Sequence, residues 1–554
     1  MIFLEKMTLG ELCLKAAEKY KHRLVFEIYR DDKVYDPVSY RLLGIRVRQF
    51  GSLLGSLGVK AGDRVMILGE NCPEWPIALF GAALAGAIAV PVLPDFTPEQ
   101  ITAIAAHAGV SVLCVTERTA VKTAAIGGDI PRVYLDTMED REAGVGVLVS
   151  LGGIPKKLPL REPAGGVWMP GKGFAFPQAK GDDPAVIIYT SGASGASKGV
   201  LLSHRNLIFC ARASRNLMKV FPRDRLLSVI PLAHTYECTL GLLTVILNGA
   251  SITYLDKPPS PLVLLPAIQA IRPTVMLTVP LFIEKIYRQK LAPALHASPL
   301  YKCALTRPLA LYLAGRKLNA AFGGGVRSFG IGGAPLASDV EDFLRKIKFP
   351  YAPGYGLTEA APLLAGTAPY RFPLHSAGSI LPGVELRIAK PAPGFTEGEI
   401  QARGPNIMMG YYRDEEATKN AFTPDGWLKT GDLGFLDKKG HLFIRGRIKA
   451  MILGSSGENI YPEEIEILLN ASPLVEEALV RGGEQGQPMA LLVLNAAARQ
   501  RRVAQPAAFD QELEDLKNTV NRQLPPFSRL CRIEIREEPF EKTPTQKIKR
   551  FLYQ

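Results

Sequence analysis

Short, continuous apolar runs alternate with helical patterns over the first 360 residues of the chain. Four of these runs are Arg64–Leu68, Val110–Val115, Ala185–Tyr189 and Pro273–Leu277, and Gly, Asp and Pro separate them from the helical segments. A run that is apolar on both faces is typical of a strand buried inside a parallel sheet. The alternation therefore predicts an α/β body that is built on buried parallel strands.

The pattern changes near residue 380. Val384–Ile388 and Gly398–Ala402 are short and alternating, as half-exposed antiparallel strands are. A new helix is predicted near Pro462–Leu469, and a further α/β unit follows it to the C-terminus. Because a chain of 554 residues is too long for one compact core, we place a domain boundary near Lys449. The two expected domains are residues 1–447 and 448–554.

Composition argues against a membrane-spanning or disulfide-rich protein. The longest apolar stretch, Ile77–Leu93, has 17 residues and contains Pro91, whereas a span needs about 20 apolar residues. We expect a buried helix that runs into a buried strand there. Seven scattered cysteines without a CxxC pair, and a start without a signal-peptide core, predict a cytoplasmic protein. The histidines form no pair with metal-ligand spacing.

The formal charge of +13 is compatible with nucleic acid, anionic lipid or anionic small molecules as partners. The basic clusters Arg499–Arg502 and Lys547–Arg550 are short and lack interleaved aromatic residues, so no nucleic-acid partner is expected. Peripheral contact with the anionic inner face of a membrane stays open as a hypothesis, because the charge comes without a predicted membrane span.

The segment Tyr189–Val200 reads YTSGASGASKGV and directly follows the predicted strand. Glycines and small hydroxylated residues let backbone N–H groups approach an anion closely, so the segment suits a phosphate. It is not a Walker loop, because Lys198 lies three residues beyond Gly195 and precedes Gly199. An ordinary P-loop ATPase is therefore disfavoured, and a flexible glycine turn is the simpler alternative.

Two later segments carry further polar chemistry. Tyr355–Glu359, preceded by Gly332–Pro335, places a hydroxyl beside a carboxylate that can serve a phosphate and its Mg²⁺. A solvated glutamate is the simpler interpretation when this segment is taken alone. Gly426–Asp432 is followed by Arg445–Lys449, and its terminal aspartate can accept ribose hydroxyls or form a turn.

The tail Lys542–Arg550, KTPTQKIKR, is basic, and its threonines and proline predict a turn that holds one lysine in place. In this order and spacing, the four segments resemble the acyl-adenylate-forming superfamily of acyl-CoA synthetases, peptide-synthetase adenylation domains and beetle luciferases. The resemblance runs from about residue 25 to the C-terminus. The tail and three other passages are most similar to long-chain fatty acid–CoA ligases: Pro231–Glu237, Ile331–Leu336 and Ser455–Asn459.

The resemblance implies an ATP site that several segments share. The loop Thr190–Lys198 would hold the β- and γ-phosphates, Thr358 would contact the α-phosphate, and Glu359 would hold Mg²⁺ with Thr190 near the metal. The implied ATP-binding residues are Thr190, Ser191, Gly192, Ser194, Gly195, Lys198, Gly333, Ala334, Tyr355, Gly356, Thr358, Asp432 and Arg447.

Within that set, the resemblance implies that Gly333 and Ala334 line the adenine pocket, with Tyr355 stacking nearby. Asp432 and Arg447 would bind the ribose hydroxyls. The implied fold is a large N-terminal domain of stacked α/β layers with a small β-barrel-like part, joined to a small mobile C-terminal α+β domain.

The resemblance also assigns roles outside the nucleotide site. Lys547 matches the family's catalytic lysine, and Lys449 matches the hinge between the domains. After adenylation, rotation about this hinge would present a loop with Gly457 and Glu458 to coenzyme A. His234 matches a position at the mouth of the acyl pocket, although a buried, hydrogen-bonded histidine is an equal alternative.

The phosphate loop departs from the family's usual pattern at Ala193, which replaces a threonine, and at Ser197, which replaces a proline. We expect weaker ATP binding at most. The expected activity is ligation of a long-chain fatty acid to coenzyme A through an acyl-adenylate, with ATP and Mg²⁺. An acyl-acyl-carrier-protein ligase, another adenylating enzyme of this fold, and a non-enzymatic basic membrane-surface protein remain alternatives.

Overall fold

The computed structural model describes residues 2–127, 130–136, 138–140, 145–146, 176–191, 197–392, 395–454, 458–483, 487–543 and 548–553. Residues 141–184, whose Gly/Pro-rich sequence predicts a long surface connection, lie mostly outside these ranges.

Helices occur throughout the described ranges and are labelled α1 to α17. In chain order they span Leu9–Lys19, Tyr40–Ser56, Glu74–Leu84, Pro98–Ala108, Glu117–Ala120, His204–Ala213, Thr244–Asn248, Pro261–Ile271, Pro280–Ile286, Ala292–Ala297, Pro299–Lys302, Arg307–Ala321, Ser338–Lys346, Glu415–Ala421, Pro462–Asn470, Ala496–Ala504 and Pro506–Asn521. Two π-helical segments span Glu237–Leu243 and Tyr287–Leu291.

The strands of the described ranges are labelled β1 to β27. In chain order they span Leu24–Arg30, Lys33–Ser39, Arg64–Leu68, Ile88–Val92, Val110–Val115, Arg132–Tyr134, Glu139–Asp140, Val145–Gly146, Pro184–Ser191, Ser197–Ser203, Arg225–Leu227, Ser251–Leu255, Val275–Thr278, Ser328–Ile331, Tyr351–Gly356, Leu363–Gly366, Gly378–Ile380, Glu385–Ala389, Gly398–Arg403, Gly410–Tyr411, Leu428–Leu436, His441–Arg447, Ile452–Leu453, Asn459–Ile460, Val475–Gly482, Pro488–Leu494 and Arg532–Arg536.

Two large sheets form the body of the protein. One has nine strands in the order β20-β10-β9-β4-β3-β5-β6-β7-β8, counted over the described ranges. Its centre is parallel, since β3 pairs in parallel with both β4 and β5. The predicted strands Arg64–Leu68 and Val110–Val115 are confirmed at their full length as β3 and β5. Both are buried almost completely, which explains why their sequences are continuous rather than alternating.

The second sheet has thirteen strands in the described part, in the order β18-β19-β21-β22-β17-β16-β15-β14-β13-β11-β12-β1-β2. From β12 through β15 its strands are parallel. From β15 to β18 they are antiparallel. The change of sequence pattern near residue 380 therefore reflects a change from parallel to antiparallel pairing within one sheet. The strand β15 belongs to both parts.

The apolar stretch Ile77–Leu93 lies inside the body, as predicted. Most of it forms the end of α3 and the whole of β4. The side chains of Trp75 and Phe80 on α3 are fully buried. Among the described residues, no helix combines the length and apolarity that crossing a bilayer requires.

The residues after Ile448 build a smaller unit around a separate sheet. The strands β25 and β26 are antiparallel, and β27 pairs in parallel with β26. Helix α15, predicted near Pro462–Leu469, packs beside β25, and Ile465 and Leu469 enter a core of their own together with Phe509. The unit contacts the body through the Arg445–Glu464 ion pair and through the Tyr461 hydroxyl, which donates to Glu397 at 3.0 Å.

Candidate active site

The predicted phosphate loop connects two antiparallel strands. Thr190 lies near the end of β9 and is directly opposite Lys198 near the start of β10. The hairpin thus holds a hydroxyl and an ammonium group at the two ends of the same loop. The predicted phosphate ligands Gly192, Ser194 and Gly195 lie outside the described residues, and their roles stay predictions.

A tyrosine stands between the predicted phosphate lysine and the predicted metal ligand. Tyr411 lies opposite Val200 in the pairing of β20 with β10. The Lys198 Nζ lies 5.0 Å from the centroid of the Tyr411 ring, and the Tyr411 hydroxyl donates to Glu359 Oε1 at 2.9 Å. Burial, together with the Glu359 carboxylate, raises the pKa of Tyr411. The phenol therefore stays a neutral donor between a cation and a carboxylate.

The turn that carries Thr358 and Glu359 is held by tight backbone packing. A Cβ atom at Gly356 would lie 1.8 Å from the Pro362 carbonyl oxygen, so only glycine fits at this position. The Leu357 N–H donates to that same oxygen at 2.9 Å. The 3₁₀ turn Thr358–Ala360 then leaves the two predicted side chains half-buried.

A buried asparagine supports the same turn from the other side. The Asn406 amide nitrogen donates to the backbone oxygens of Ala360 at 3.0 Å and Leu363 at 2.9 Å. Asn406 is fully buried, and its neighbour segment is tied to the turn by a hydrogen bond from the Met408 N–H to the Glu359 carbonyl. The carboxylate of Glu359 is therefore fixed by backbone contacts as well as by Tyr411.

The predicted adenine residues lie where two parallel strands end at one sheet edge. Ile331 of β14 is opposite Pro353 of β15, so Gly333 and Tyr355 follow at equivalent positions past this pair. Gly333 has a φ of 89°, a left-handed conformation that favours glycine. Gly333 and Ala334 are exposed, whereas Tyr355 is buried. Ligands of α/β proteins commonly bind at such carboxyl ends of strands.

The predicted ribose residues form one hydrogen-bonded group with Tyr355. Asp432 and Arg447 are opposite each other in the β21–β22 pair. The Arg447 Nε lies 3.1 Å from Asp432 Oδ1, and the Tyr355 hydroxyl donates to Asp432 Oδ2 at 2.7 Å. Burial and the neighbouring carboxylate raise the pKa of Tyr355 well above its ordinary value. The structure thus brings Tyr355, which is predicted to stack near the adenine, together with the two predicted ribose residues.

His234 lies half-buried at the start of the segment that enters the first π-helix. Its Nδ1 accepts a hydrogen bond from the Tyr236 N–H at 3.2 Å. The Tyr236 hydroxyl points to Gly330 of β14, where a Cβ atom would be 3.2 Å away. The side of β14 that leads to Gly333 therefore faces this segment, as a position beside the nucleotide requires.

A buried carboxyl group anchors that segment. Glu237 is 1% exposed, and its Oε1 accepts from the Ser228 hydroxyl at 2.5 Å. Asn71 donates to the Ser228 hydroxyl at 2.9 Å and accepts from the Leu232 N–H at 2.7 Å. Burial raises the pKa of Glu237 to about 8. The group is therefore protonated at neutral pH, which avoids a buried charge.

The predicted hinge and cap residues are described only in part. Lys449 is exposed in the 3₁₀ turn Ile448–Ala450, directly after β22. The half-buried Glu458 follows, and its carbonyl accepts from the Gly454 N–H at 2.8 Å. Gly457 and the predicted catalytic Lys547 lie outside the described residues, so their roles stay predictions.

The donor set fits a Mg²⁺ ion that arrives with a nucleotide. No cluster of three or more acidic, histidine or cysteine side chains suited to a metal occurs in the described part of the chain. Mg²⁺ is commonly held by one or two carboxylates together with substrate phosphates and water. Glu359 provides one half-buried carboxylate of this kind, and the half-buried Thr190 provides a hydroxyl.

Sequence reasoning missed the residues that position the predicted ligands. None of the residues Tyr411, Asn406, Thr430 and Glu237 was singled out as a candidate in the sequence analysis. The Thr430 hydroxyl oxygen accepts a hydrogen bond from the Asp432 N–H at 3.1 Å. Thr430 and Glu237 lie inside quoted segments, where each polar side chain beside a predicted ligand could have been flagged. Tyr411 and Asn406 give no such signal, because their contacts are tertiary.

Comparison with known proteins identifies the family of this chain. A family model described as AMP-binding enzyme matches residues 14–412, and a model described as AMP-binding enzyme C-terminal domain matches residues 449–552. The chain belongs to the AMP-binding enzyme family. The predicted resemblance to acyl-adenylate-forming enzymes is thereby confirmed.

Two relatives in the AMP-binding family show the range of named substrates. Long-chain-fatty-acid–CoA ligase FadD15 of Mycobacterium bovis is 31% identical over 513 residues, covering 86% of this chain and 82% of that protein. 4-Coumarate–CoA ligase 1 of Solanum tuberosum is 28% identical over 496 residues, covering 86% of this chain and 81% of that protein. The chain therefore groups with the adenylate-forming acyl- and aryl-CoA ligases of the family.

A solved structure confirms the fold of this AMP-binding enzyme over its length. O-Succinylbenzoate coenzyme A synthetase (MenE) from Bacillus subtilis, in complex with ATP and magnesium ion, superposes with a TM-score of 0.72. It is 23% identical, and the match covers 98% of each chain. The expected α/β architecture with a smaller C-terminal domain is therefore confirmed.

Replacing Tyr411 by Phe removes the only side-chain hydrogen bond that Glu359 receives from a described residue. We expect the apparent affinity for Mg²⁺ to fall about tenfold, because loss of an outer-shell partner typically costs that much. The measurement is pyrophosphate release as a function of Mg²⁺ concentration at saturating ATP. Tyr412→Phe, which alters a neighbouring phenol outside this contact, is the control. An unchanged Mg²⁺ dependence of Tyr411→Phe contradicts the assignment.

The buried Glu237 carboxyl makes stability depend on pH. A folded pKa of about 8, raised above the ordinary 4.5, means that its favourable contribution is complete below pH 4.5 and is lost as the pH rises toward 8. Glutamine keeps the acceptor for Ser228 and stays neutral. We therefore expect the stability of Glu237→Gln relative to the native chain to rise by about 2–4 kcal/mol between pH 5.5 and pH 8.5.

Urea unfolding at both pH values measures this difference. The control is Glu341→Gln, another buried carboxylate, which accepts a hydrogen bond from the Tyr351 hydroxyl. If the native chain and Glu237→Gln lose stability equally between pH 5.5 and 8.5, Glu237 is not the titrating group.

Proposed function

We propose that this AMP-binding enzyme joins a long-chain fatty acid to coenzyme A in two steps, through an acyl-adenylate. One observation supports this most strongly. Two connected groups of side chains lie on or beside strands of the two large sheets. One is Lys198–Tyr411–Glu359, which offers partners for phosphates and a metal. The other is Tyr355–Asp432–Arg447, which offers partners for adenine and ribose. The relative FadD15 supports the choice of a long-chain acid.

In the first step, a carboxylate oxygen of the fatty acid attacks the α-phosphorus of ATP. A bond forms between them, the bond to the β-phosphate oxygen breaks, and pyrophosphate leaves with the electron pair. Two anions must be held in line at near-contact distance, so the protein acts mainly by positioning and by charge stabilisation. Asp432 and Arg447 hold the ribose, Thr358 faces the α-phosphate, and Lys198 faces the leaving phosphates.

A Mg²⁺ ion bound with ATP supplies charge neutralisation at the phosphates. Glu359 is the residue that would hold it, with the Thr190 hydroxyl nearby. Tyr411 then has two tasks. It orients the Glu359 carboxylate through its hydroxyl, and its ring face holds the Lys198 ammonium group at a fixed distance.

In the second step, the thiol of coenzyme A attacks the acyl carbonyl carbon of the adenylate. The thiol loses its proton, the carbon–sulfur bond forms, the bond to the AMP phosphate breaks, and AMP leaves. We assign residues 1–447 to the nucleotide and acyl domain and residues 448–554 to a mobile cap. Rotation at Lys449 withdraws Lys547 and turns the loop with Gly457 and Glu458 toward coenzyme A.

The acyl chain is assigned to the region beside His234. The Tyr236 hydroxyl lies against Gly330, on the strand that leads to the proposed nucleotide edge, and the Tyr236 N–H donates to His234. An acid bound beside this segment would have its carboxylate close to the α-phosphate. The relative 4-coumarate–CoA ligase 1 makes an aromatic acid the second candidate. All seven cysteines are free thiols, which supports the proposed reducing, cytoplasmic setting.

Lys547→Ala separates the two steps. One ammonium group about 4 Å from the reacting phosphate contributes up to about 4 kcal/mol at an effective dielectric near 20. We therefore expect pyrophosphate release to slow by two to three orders of magnitude, while conversion of supplied acyl-adenylate to thioester continues. Lys549→Ala is the control, since the Lys549 Nζ lies 3.2 Å from Glu541. Equal loss of both steps in Lys547→Ala contradicts the two-state scheme.

An acid panel tests the substrate and acceptor. Each methylene group that enters an apolar pocket adds about 0.8 kcal/mol, or about fourfold, to kcat/KM. We expect kcat/KM for AMP formation to rise along a series of saturated acids into the long-chain range, with coenzyme A as acceptor. A maximum with an aromatic acid favours the aryl-CoA ligase alternative. Acylation of carrier protein instead of coenzyme A favours the acyl-acyl-carrier-protein ligase.

A further inference from the structure

Helix α12 exposes apolar side chains on its outer face. It buries the small residues Ala310 and Ala314, with Leu318, against the body. The side chains on the opposite side, within one turn of each other, are Leu309, Tyr312 and Leu313, which are 51%, 59% and 41% exposed. A surface helix ordinarily buries its large apolar residues, so this reversed arrangement marks a contact surface.

The turn before the helix extends the same exposed surface. Leu305 is 91% exposed between α11 and α12. The turn is fixed rather than open, because the Thr306 hydroxyl donates to the Leu300 carbonyl at 2.8 Å and the Arg307 Nε donates to the Tyr301 carbonyl at 3.0 Å. We call the following residues the α12 face: Leu305, Leu309, Tyr312, Leu313, Arg316 and Lys317.

The charge around the α12 face has one sign. The 54 residues from Lys285 to Ser338 include eight lysines and arginines and no aspartate or glutamate. Arg288 is paired with Asp339 and Arg327 with Asp224. By contrast, Arg316 and Lys317 are exposed and form no ion pair with any residue in the described ranges. These two cations therefore lie on the same helix as the exposed Leu309 and Leu313, in a stretch of sequence without acidic residues.

We propose that the α12 face docks on the surface of a bilayer that contains anionic lipid. Leucines and a tyrosine can enter the boundary between headgroups and acyl chains, while arginine and lysine beside them contact anionic headgroups. A nucleic-acid partner fits less well, because it needs stacking aromatic residues and polar contacts rather than four apolar side chains. The inference does not use the proposed reaction, and its test requires no substrate.

Two exposed cysteines allow a direct test. Cys303 lies between α11 and α12, and Cys531 lies in the C-terminal unit; both are exposed, unlike the other five. Hydrogen bonds from Thr306 lower the pKa of Cys303, which favours its labelling near neutral pH. Each thiol is labelled with an environment-sensitive fluorophore in the variant that lacks the other, Cys531→Ser or Cys303→Ser. The labelled chains are then mixed with phosphatidylcholine vesicles, with or without phosphatidylglycerol.

We expect emission from the Cys303 label to shift to the blue with phosphatidylglycerol vesicles, and emission from the Cys531 label to stay unchanged. Binding should be about tenfold stronger with the anionic lipid and weaken at high salt, because screening acts on exposed charges. Equal shifts at both positions, or no shift at Cys303 with anionic vesicles at low salt, overturn the proposal.

Paired variants test the face itself by vesicle cosedimentation. Two double variants should each reduce vesicle binding about tenfold or more. One combines Leu309→Glu with Tyr312→Glu, and the other combines Arg316→Glu with Lys317→Glu. The matched controls are Phe527→Glu and Lys438→Glu with Lys439→Glu, which change exposed residues elsewhere. If the control variants reduce vesicle binding as much as the α12 variants do, the assignment is contradicted. Thermal unfolding checks that each variant is folded.

The sedimentation coefficient of the native chain separates the membrane from a second copy. We expect a monomer without vesicles at micromolar concentration. A dimer that Leu309→Glu with Tyr312→Glu dissociates assigns the α12 face to self-association and overturns the membrane proposal. If the α12 face does not bind vesicles, or if it mediates self-association instead, pyrophosphate release is still expected. If the proposed ligase activity is wrong, vesicle binding by the α12 face is still expected.

Discussion

The hydrogen bond from the Tyr355 phenol to the Asp432 carboxylate joins the two halves of the thirteen-stranded sheet at the nucleotide edge. Tyr355 lies on β15, where parallel pairing ends, and Asp432 lies on β21 in the antiparallel part. Asp432 also contacts Arg447 across the β21–β22 pair. Because the carboxylate is buried between these partners, its two oxygens have fixed directions. The proposed contact of Asp432 with the ribose therefore depends on the packing of both halves of the sheet.

In the proposed phosphate-binding part of the site, a tyrosine hydroxyl again donates to a carboxylate, and here the tyrosine ring also contacts a lysine. Lys198 and Glu359 come from segments far apart in the chain, and Tyr411 contacts both, Lys198 through its ring and Glu359 through its hydroxyl. A direct Lys–Glu ion pair would neutralise the groups that ATP and its metal need. The intervening phenol keeps the cation and the carboxylate close and leaves each of them available, since a neutral hydroxyl satisfies only one carboxylate oxygen.

The sequence allowed prediction of those parts that depend on local pattern. Arg64–Leu68 and Val110–Val115 are uniformly apolar because both faces of their strands are covered, and the structure confirms them at full length. Thr358, Glu359 and Asp432 could be proposed as ligands because each lies in a glycine-containing segment that resembles a motif of the family. Tyr411 and Asn406 could not, because their roles arise from contacts with β10 and with the turn at Ala360, and neither contact leaves a periodicity in the chain.

The position of Arg447 has a consequence for how the enzyme can keep its intermediate. Arg447 is the last residue of β22 and is in register with Asp432, and Lys449 lies in the 3₁₀ turn that directly follows. Two residues, or about 7 Å of chain, separate Arg447, which is proposed to bind the ribose with Asp432, from the proposed hinge at Lys449. If the cap rotates at Lys449, Asp432 and Arg447 stay with the sheet. The adenylate would then remain bound while Lys547 leaves the site and the loop with Gly457 and Glu458 approaches it. In the proposed two-step scheme, this arrangement lets the enzyme change catalytic partners without releasing its reactive intermediate to water.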